Sequence, residues 1–185
     1  MKRIFIAVNV HPGPVLLKTT AAIKALLASE SIKWTELANT HLTLAFLGDT
    51  EEKRIMILSK MLREKCSGFG EFSFTLAGTG VFKNFRDPRV IWAGIRSSEQ
   101  LAKLSQTINS GLAENDFPVE ERPFKPHLTL GRIRSIKDPE NLKSVIDRYI
   151  ETEFQTITVN EVILYESILM QTGPVYKALD KYTLL

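Results

Sequence analysis

Two of the three histidines in this 185-residue chain head the same tetrapeptide, His41-Leu42-Thr43-Leu44 and His127-Leu128-Thr129-Leu130. Alternate residues of a β-strand point to opposite faces. Each copy therefore predicts a strand with an imidazole and a hydroxyl on one side and leucines on the other. In the first copy this alternation puts His41 and Thr43 together and Leu42, Leu44 and Phe46 opposite them. An imidazole with an ordinary pKa near 6.5 gives or takes a proton at neutral pH, and a hydroxyl donates to an anionic oxygen. Brought face to face, two such pairs make a proton-transfer and anion-binding site.

The motifs lie 86 residues apart, and their surroundings repeat as well. Each histidine strand is followed by an acidic turn and a helical pattern: Asp49 to Lys65 with Ile55, Leu58, Met61 and Leu62 inward, and a helix started by Asp138-Pro139 with Leu142, Val145, Ile146 and Tyr149 inward. Phe72 and Phe154 then open the next strands. Two similar β-α-β units imply an internal duplication and a pseudo-twofold axis. No low-complexity linker separates them, so residues 1–185 read as a single bilobal domain.

The rest of the chain fits an α+β plan. Residues 3–10 read as a buried strand, 14–29 as a helix opened by Pro14, and 32–36 as a short strand. Residues 72–76 form a strand leading into Gly78–Phe82, 83–88 an exposed loop, and 90–95 a strand. From Ser98 to Asn115 the spacing of Leu101, Leu104, Ile108 and Leu112 predicts an amphipathic helix. A connector, 116–125, delivers Pro126-His127, and the second histidine strand runs to Arg134. Thr156 to Met170 reads as one strand, with a bend at Glu166-Ser167 left open, and Val175 to Leu184 as the last.

Composition narrows the function classes. Cys66 is alone, which rules out an intramolecular disulfide and a cysteine-rich metal site and suits a reducing cytoplasm. The apolar runs fall far short of the ~20 residues of a membrane span, and the opening residues read as a strand rather than a signal peptide. A net charge of +3 permits a phosphate-bearing ligand without requiring one. No H-x-x-x-H pattern or Cys cluster suggests zinc. His11, between prolines and without a repeat partner, reads as structural, and Trp92 as core.

These residues resemble the two-histidine (2H) phosphoesterase superfamily, whose signature is a pair of H-x-T-x motifs. More closely, the sequence is similar to the RNA 2′,3′-cyclic phosphodiesterases, formerly called 2′-5′ RNA ligases. The resemblance covers nearly the whole chain: Arg3–Val8, His41–Leu44 followed by Phe46-Leu47-Gly48, Gly80-Val81-Phe82, Pro88–Gly94 and Pro126–Arg132. It implies a bilobal α+β fold, with two similar lobes, antiparallel sheets lining a cleft and helices outside. The implied reaction is hydrolysis of an RNA terminal 2′,3′-cyclic phosphate to a 2′-phosphate, without metal or cofactor. It further implies a cytoplasmic monomer, not bound to membrane, acting on RNA ends such as those of tRNA fragments. His41 would be the proton donor to the departing 3′ oxygen and His127 the proton acceptor from water, with Thr43 and Thr129 on the non-bridging oxygens.

Three further residues are candidate substrate contacts. Arg132 falls opposite His127 by strict alternation, unless Gly131 makes a bulge and re-aims it. Phe82 can stack on a base, or belong to the core. Arg89, with Lys83 in the same basic loop, can reach an RNA backbone, or be solvated. The competing functions are a non-catalytic RNA-end binding module, a 2′-5′ ligase or phosphodiesterase, and a cyclic phosphodiesterase for a small nucleotide.

Overall fold

A computed structural model describes residues 1–36, 39–120, 122–171 and 173–185. Glu121 of the predicted connector lies outside the described residues. Nine strands and four helices follow in the order β1 (Lys2–Asn9), α1 (Pro14–Leu26), β2 (Ser31–Trp34), β3 (His41–Thr50), α2 (Glu52–Cys66), β4 (Phe72–Phe82), β5 (Val90–Arg96), α3 (Glu99–Glu114), β6 (Leu128–Ser135), α4 (Pro139–Asp147), β7 (Glu153–Val159), β8 (Glu161–Met170) and β9 (Gly173–Thr183).

The strands form two antiparallel sheets. The first has the order β3-β1-β8-β9 and the second β2-β6-β5-β4-β7. The two histidine strands therefore belong to different sheets, as the duplication predicts. Helices α2 and α3 pack on the first sheet, and α1 and α4 on the second. The chain does not build one sheet and then the other. α1, between β1 and β3, packs against β7 and α4; α3, between β5 and β6, packs against α2 and β3.

The apolar stripes explain the layers. Leu101, Leu104, Ile108 and Leu112 are all fully buried on α3, as their spacing requires. Under the helices, Ile4, Ile6, Val8, Leu42 and Leu44 of the first sheet and Leu76, Ile91, Ala93, Leu128 and Leu130 of the second close the core. Cys66 is buried there, and burial pushes its thiol up to about 12, so it stays protonated and inert.

Three local expectations are corrected. Asp49 and Thr50 continue β3, and α2 begins after Glu51, whose side chain makes no cap; the strand keeps these residues because Arg3 and Lys2 pair with them in the ladder. The run 156–170 is two strands that part at Asn160 and join different sheets; the Asn160 carbonyl accepts from the Leu184 backbone N–H at 2.9 Å and fixes the corner. β-Branched residues on both sides hide that break in the sequence. Tyr149 packs against the core as expected, but from the turn just beyond α4 rather than from the helix. The Asp138 cap is as expected, with its carboxylate accepting from the Asn141 N–H at 2.9 Å.

Candidate active site

His41 opens β3, paired with Asn9 of β1, and His127 immediately precedes β6. Their rings are held in the same way. The Nδ1 of His41 lies 2.6 Å from the Asn39 carbonyl and that of His127 2.8 Å from the Lys125 carbonyl, two residues back in each case. A carbonyl only accepts, so Nδ1 carries a hydrogen in both rings and Nε2 is left for chemistry. An aromatic ring meets each imidazole edge-on: Tyr176 against His41 at 5.0 Å and Phe82 against His127 at 4.8 Å. Phe5 adds a second ring 4.9 Å from His41.

Both motifs also carry the same irregularity. In β3, Thr43 pairs with Ala7 and Ala45 with Ile6, so Leu44 is an extra residue; in β6, Thr129 pairs with Trp92 and Gly131 with Ile91, so Leu130 is extra. An inserted residue shifts the alternation by one position. The residue five after each histidine consequently turns to the histidine side. In the second motif it is Arg132, which the Gly131 bulge re-aims into the cleft. In the first it is Phe46, expected with the leucines but 54% exposed on the cleft side.

One cleft of about 330 Å³ is lined by His41, Thr43, Phe46, His127, Thr129, Arg132 and Tyr176, with Thr35 and Asn39. Its volume suits a nucleotide. All four residues of the two motifs thus meet, one pair from each sheet. A further space of about 240 Å³ continues past His41 between Arg3, Phe46, Ser167, Leu169 and Tyr176. The Arg3 guanidinium lies 5.1 Å over the Phe46 ring.

The surroundings of His41 disfavour a charge on its ring. Burial beside Phe5 and Tyr176 lowers the pKa of His41, the Asn39 carbonyl partly opposes this, and the nearby Arg132 charge lowers it further. Burial likewise raises the Tyr165 and Tyr176 phenols, which stay protonated donors at neutral pH.

The other candidate contacts fall in different places. Phe82 stands beside His127 and packs on Trp92 at 5.4 Å. Trp92, expected in the core, is half-buried on the Thr129 side of its sheet, because its neighbours Ile91 and Ala93 take the helix-facing side. Its Nε1 is buried without a hydrogen-bond partner among the described residues. Arg89 does not line the cleft: its guanidinium, 63% exposed, pairs with Asp87 at 2.8 Å, and Lys83 pairs with the same carboxylate at 2.9 Å. His11 lies beside Asn9, and its carbonyl accepts from Gln155.

Trp92 lies flat across Gly80, where an added Cβ would come within 2.2 Å of the indole Cζ2. Gly80→Ala is therefore expected to cost about 1–3 kcal/mol by overpacking, read as a lower denaturation midpoint in urea. The displaced indole also pushes Phe82 against His127, so kcat should fall with stability.

Among the described residues no group of three or more His, Cys, Asp or Glu stands close enough to hold a metal ion, and no helix is long and apolar enough to cross a membrane.

Comparison with known proteins agrees with this geometry. A family model described as the 2′-5′ RNA ligase superfamily matches residues 5–167. The chain is 34% identical over 179 residues to an RNA 2′,3′-cyclic phosphodiesterase of Thermotoga maritima, covering 96% of this chain and 92% of the relative. It is 30% identical over 184 residues to one of Methanothermobacter thermautotrophicus, covering 98% of both. A crystal structure from Thermus thermophilus superposes with a TM-score of 0.80 at 28% identity over 98% of this chain and 97% of that one. E. coli LigT complexed with 3′-AMP gives 0.73 at 25% identity over 99% and 98%. By sequence along almost its whole length, and by the paired strands that carry its histidines, the chain belongs to the 2′-5′ RNA ligase superfamily of two-histidine phosphoesterases.

Proposed function

We propose that this protein hydrolyses the 2′,3′-cyclic phosphate at the end of an RNA to a 2′-phosphomonoester, with His41 as proton donor and His127 as proton acceptor. The observation that carries the reading is the matched pair of imidazoles, each fixed through Nδ1 to a backbone carbonyl and lining one nucleotide-sized cleft. The names of the relatives from Thermotoga maritima and Methanothermobacter thermautotrophicus support the same substrate.

In this reading a water oxygen attacks phosphorus while its proton passes to Nε2 of His127. The bond from phosphorus to the 3′ oxygen breaks, and that oxygen takes the proton from Nε2 of His41. Acid and base on opposite sides of the phosphorus are what in-line displacement needs. The Thr43 and Thr129 hydroxyls donate to the non-bridging oxygens, and the Arg132 fork neutralises the charge developing there. Because burial and Arg132 both disfavour protonated His41 in the free protein, the anionic substrate supplies the charge that restores its proton.

Residues 1–185 act as one unit in this scheme, since each sheet supplies one histidine and one threonine. The family description also names 2′-5′ ligation. The same two imidazoles serve that chemistry, with a 5′ hydroxyl in place of water.

The test is the product formed from an oligoribonucleotide ending in a 2′,3′-cyclic phosphate, with EDTA present. A 2′-phosphate end at an undiminished rate is expected. An intact end that is nevertheless bound would make the cleft a binding module, and turnover confined to 2′-5′ linked dinucleotides would assign it to that linkage.

A further inference from the structure

The two sheets match strand for strand except at one place. Laying the histidine strands on each other sets β3-β1-β8-β9 against β6-β5-β4-β7 and leaves β2 over, outside β6. β2 pairs Lys33 with Arg132 and Trp34 with Gly131, and the Thr35 N–H carries the ladder one residue further by donating to the Leu130 carbonyl at 2.9 Å. Cross-strand partners share a face of the sheet, and so do alternate residues of one strand. Lys33 therefore stands on the Arg132 side, and Thr35 follows it into the cleft wall, beside Thr129 and toward the end of β6 that His127 precedes. The first motif has no strand on its outer side among the described residues, because β3 is the edge of its sheet.

Against this wall lies a cavity of about 20 Å³, to which Thr20 and Thr40 also contribute. Among the described residues Thr35 and Thr129 are the two that line both this cavity and the cleft. The space admits one water and nothing larger, and the threonines around it offer the polar partners that a water needs. In the mechanism above the Thr129 hydroxyl is committed to a non-bridging oxygen. That of Thr35 has no hydrogen-bond partner among the described residues.

We propose that Thr35 holds the attacking water for His127 and so decides between water and an alcohol as the nucleophile. The inference rests on the proposed hydrolysis and adds the residue that selects its second reactant. Water has two hydrogens. His127 Nε2 takes one of them, and the Thr35 Oγ accepts a hydrogen bond from the other, which turns a lone pair of the water oxygen toward phosphorus. The bond from that oxygen to phosphorus forms, the bond to the 3′ oxygen breaks, and His41 supplies the proton to the departing oxygen. An alcohol brings a single hydroxyl hydrogen, which His127 takes, and its carbon gains nothing from Thr35. A 5′ hydroxyl of RNA is such an alcohol, so Thr35 favours hydrolysis over formation of a 2′-5′ bond.

The experiment lets water and methanol compete for an oligoribonucleotide ending in a 2′,3′-cyclic phosphate, and measures the 2′-phosphate and the methyl 2′-phosphodiester formed. Thr35→Val keeps the side-chain shape and the backbone N–H that pairs with Leu130. Its hydrolysis rate is expected to fall about tenfold, the worth of one orienting hydrogen bond. Methanolysis should change little, so the ratio of methyl ester to 2′-phosphate rises by the same factor. Thr35→Ser, which keeps the hydroxyl, should restore the wild-type ratio. Thr35→Ala removes the hydroxyl by a second route and must raise the ratio as well, so a folding defect peculiar to valine does not decide the outcome. Thr43→Ala loses a contact to the phosphate that both nucleophiles share, and should slow both reactions with the ratio in place.

A ratio unmoved in Thr35→Val and Thr35→Ala would overturn the inference while leaving the hydrolase reading intact. Equal losses of both products would do the same, and would make Thr35 a contact of the phosphate instead. If the wild type forms neither product, the hydrolase reading fails and the role of Thr35 falls with it.

Discussion

Alanine at His41 or at His127 is expected to lower kcat on a cyclic phosphate end by about 10²- to 10⁴-fold, equivalent to about 3–5 kcal/mol of barrier. Both side chains sit at a strand start and, among the described residues, each hydrogen-bonds to one local carbonyl, so the fold should tolerate their loss. The readouts are single-turnover rate and circular dichroism on the same samples. The double variant should be far less than multiplicatively worse, because in the proposed mechanism acid and base act on one displacement. Thr43→Ala and Thr129→Ala should cost less than either histidine, since each removes one hydrogen bond to developing charge. A His41 variant retaining wild-type kcat with an altered KM would remove the proton donor from the mechanism.

Arg132→Ala carries the second large effect, and it should appear in two measurements at once. Loss of the fork from the phosphate is expected to lower kcat/KM by about 10²-fold or more, in the range seen for donors aimed at developing charge. The pH profile should move as well. A proton donor works only while protonated, so activity falls as pH rises through the pKa of His41 in the free protein. Burial first, and Arg132 second, hold that value below the usual imidazole range, and the alkaline limb of kcat/KM should lie correspondingly low. Removing the Arg132 charge lets the His41 pKa rise, and the limb should shift to higher pH. Arg132→Lys keeps a charge near His41 but not the bidentate geometry, so it should lose rate without a comparable shift. A limb that stays fixed in Arg132→Ala would detach Arg132 from His41.

Much of this site is legible in the sequence because it is local. The H-x-T-x copies place their own four side chains, and the α3 stripe announces its buried face. What escaped was phase and distance. Phe46 is assigned to the wrong side by strict alternation because the extra residue at Leu44 leaves no residue-type signature by itself. The second motif holds the clue: a Gly131 bulge that re-aims Arg132 must, in a duplicated chain, have a counterpart at Ala45 that re-aims Phe46. Tyr176 comes from the last strand and meets His41 only through the β1-β8-β9 pairing, which no local pattern announces. Trp92 looks like core because an indole between Ile91 and Ala93 resembles any buried strand, and only Gly80 on the neighbouring strand marks where the ring lies. Lys33 and Arg132 likewise become neighbours only through a register between strands far apart in sequence.

The interleaved path of the chain bears on how the cleft behaves. β1, β3, β8 and β9 build one wall and β2, β6, β5, β4 and β7 the other, yet the backbone passes from wall to wall at α1, between β2 and β3, after α2, around α3 and at Asn160. Hinge closure needs two bodies joined by a few compliant residues. Here the bodies are stitched together several times over, so the two walls behave as the fixed jaws of a gauge. A ligand of this cleft is then selected by what fits between the walls as they stand.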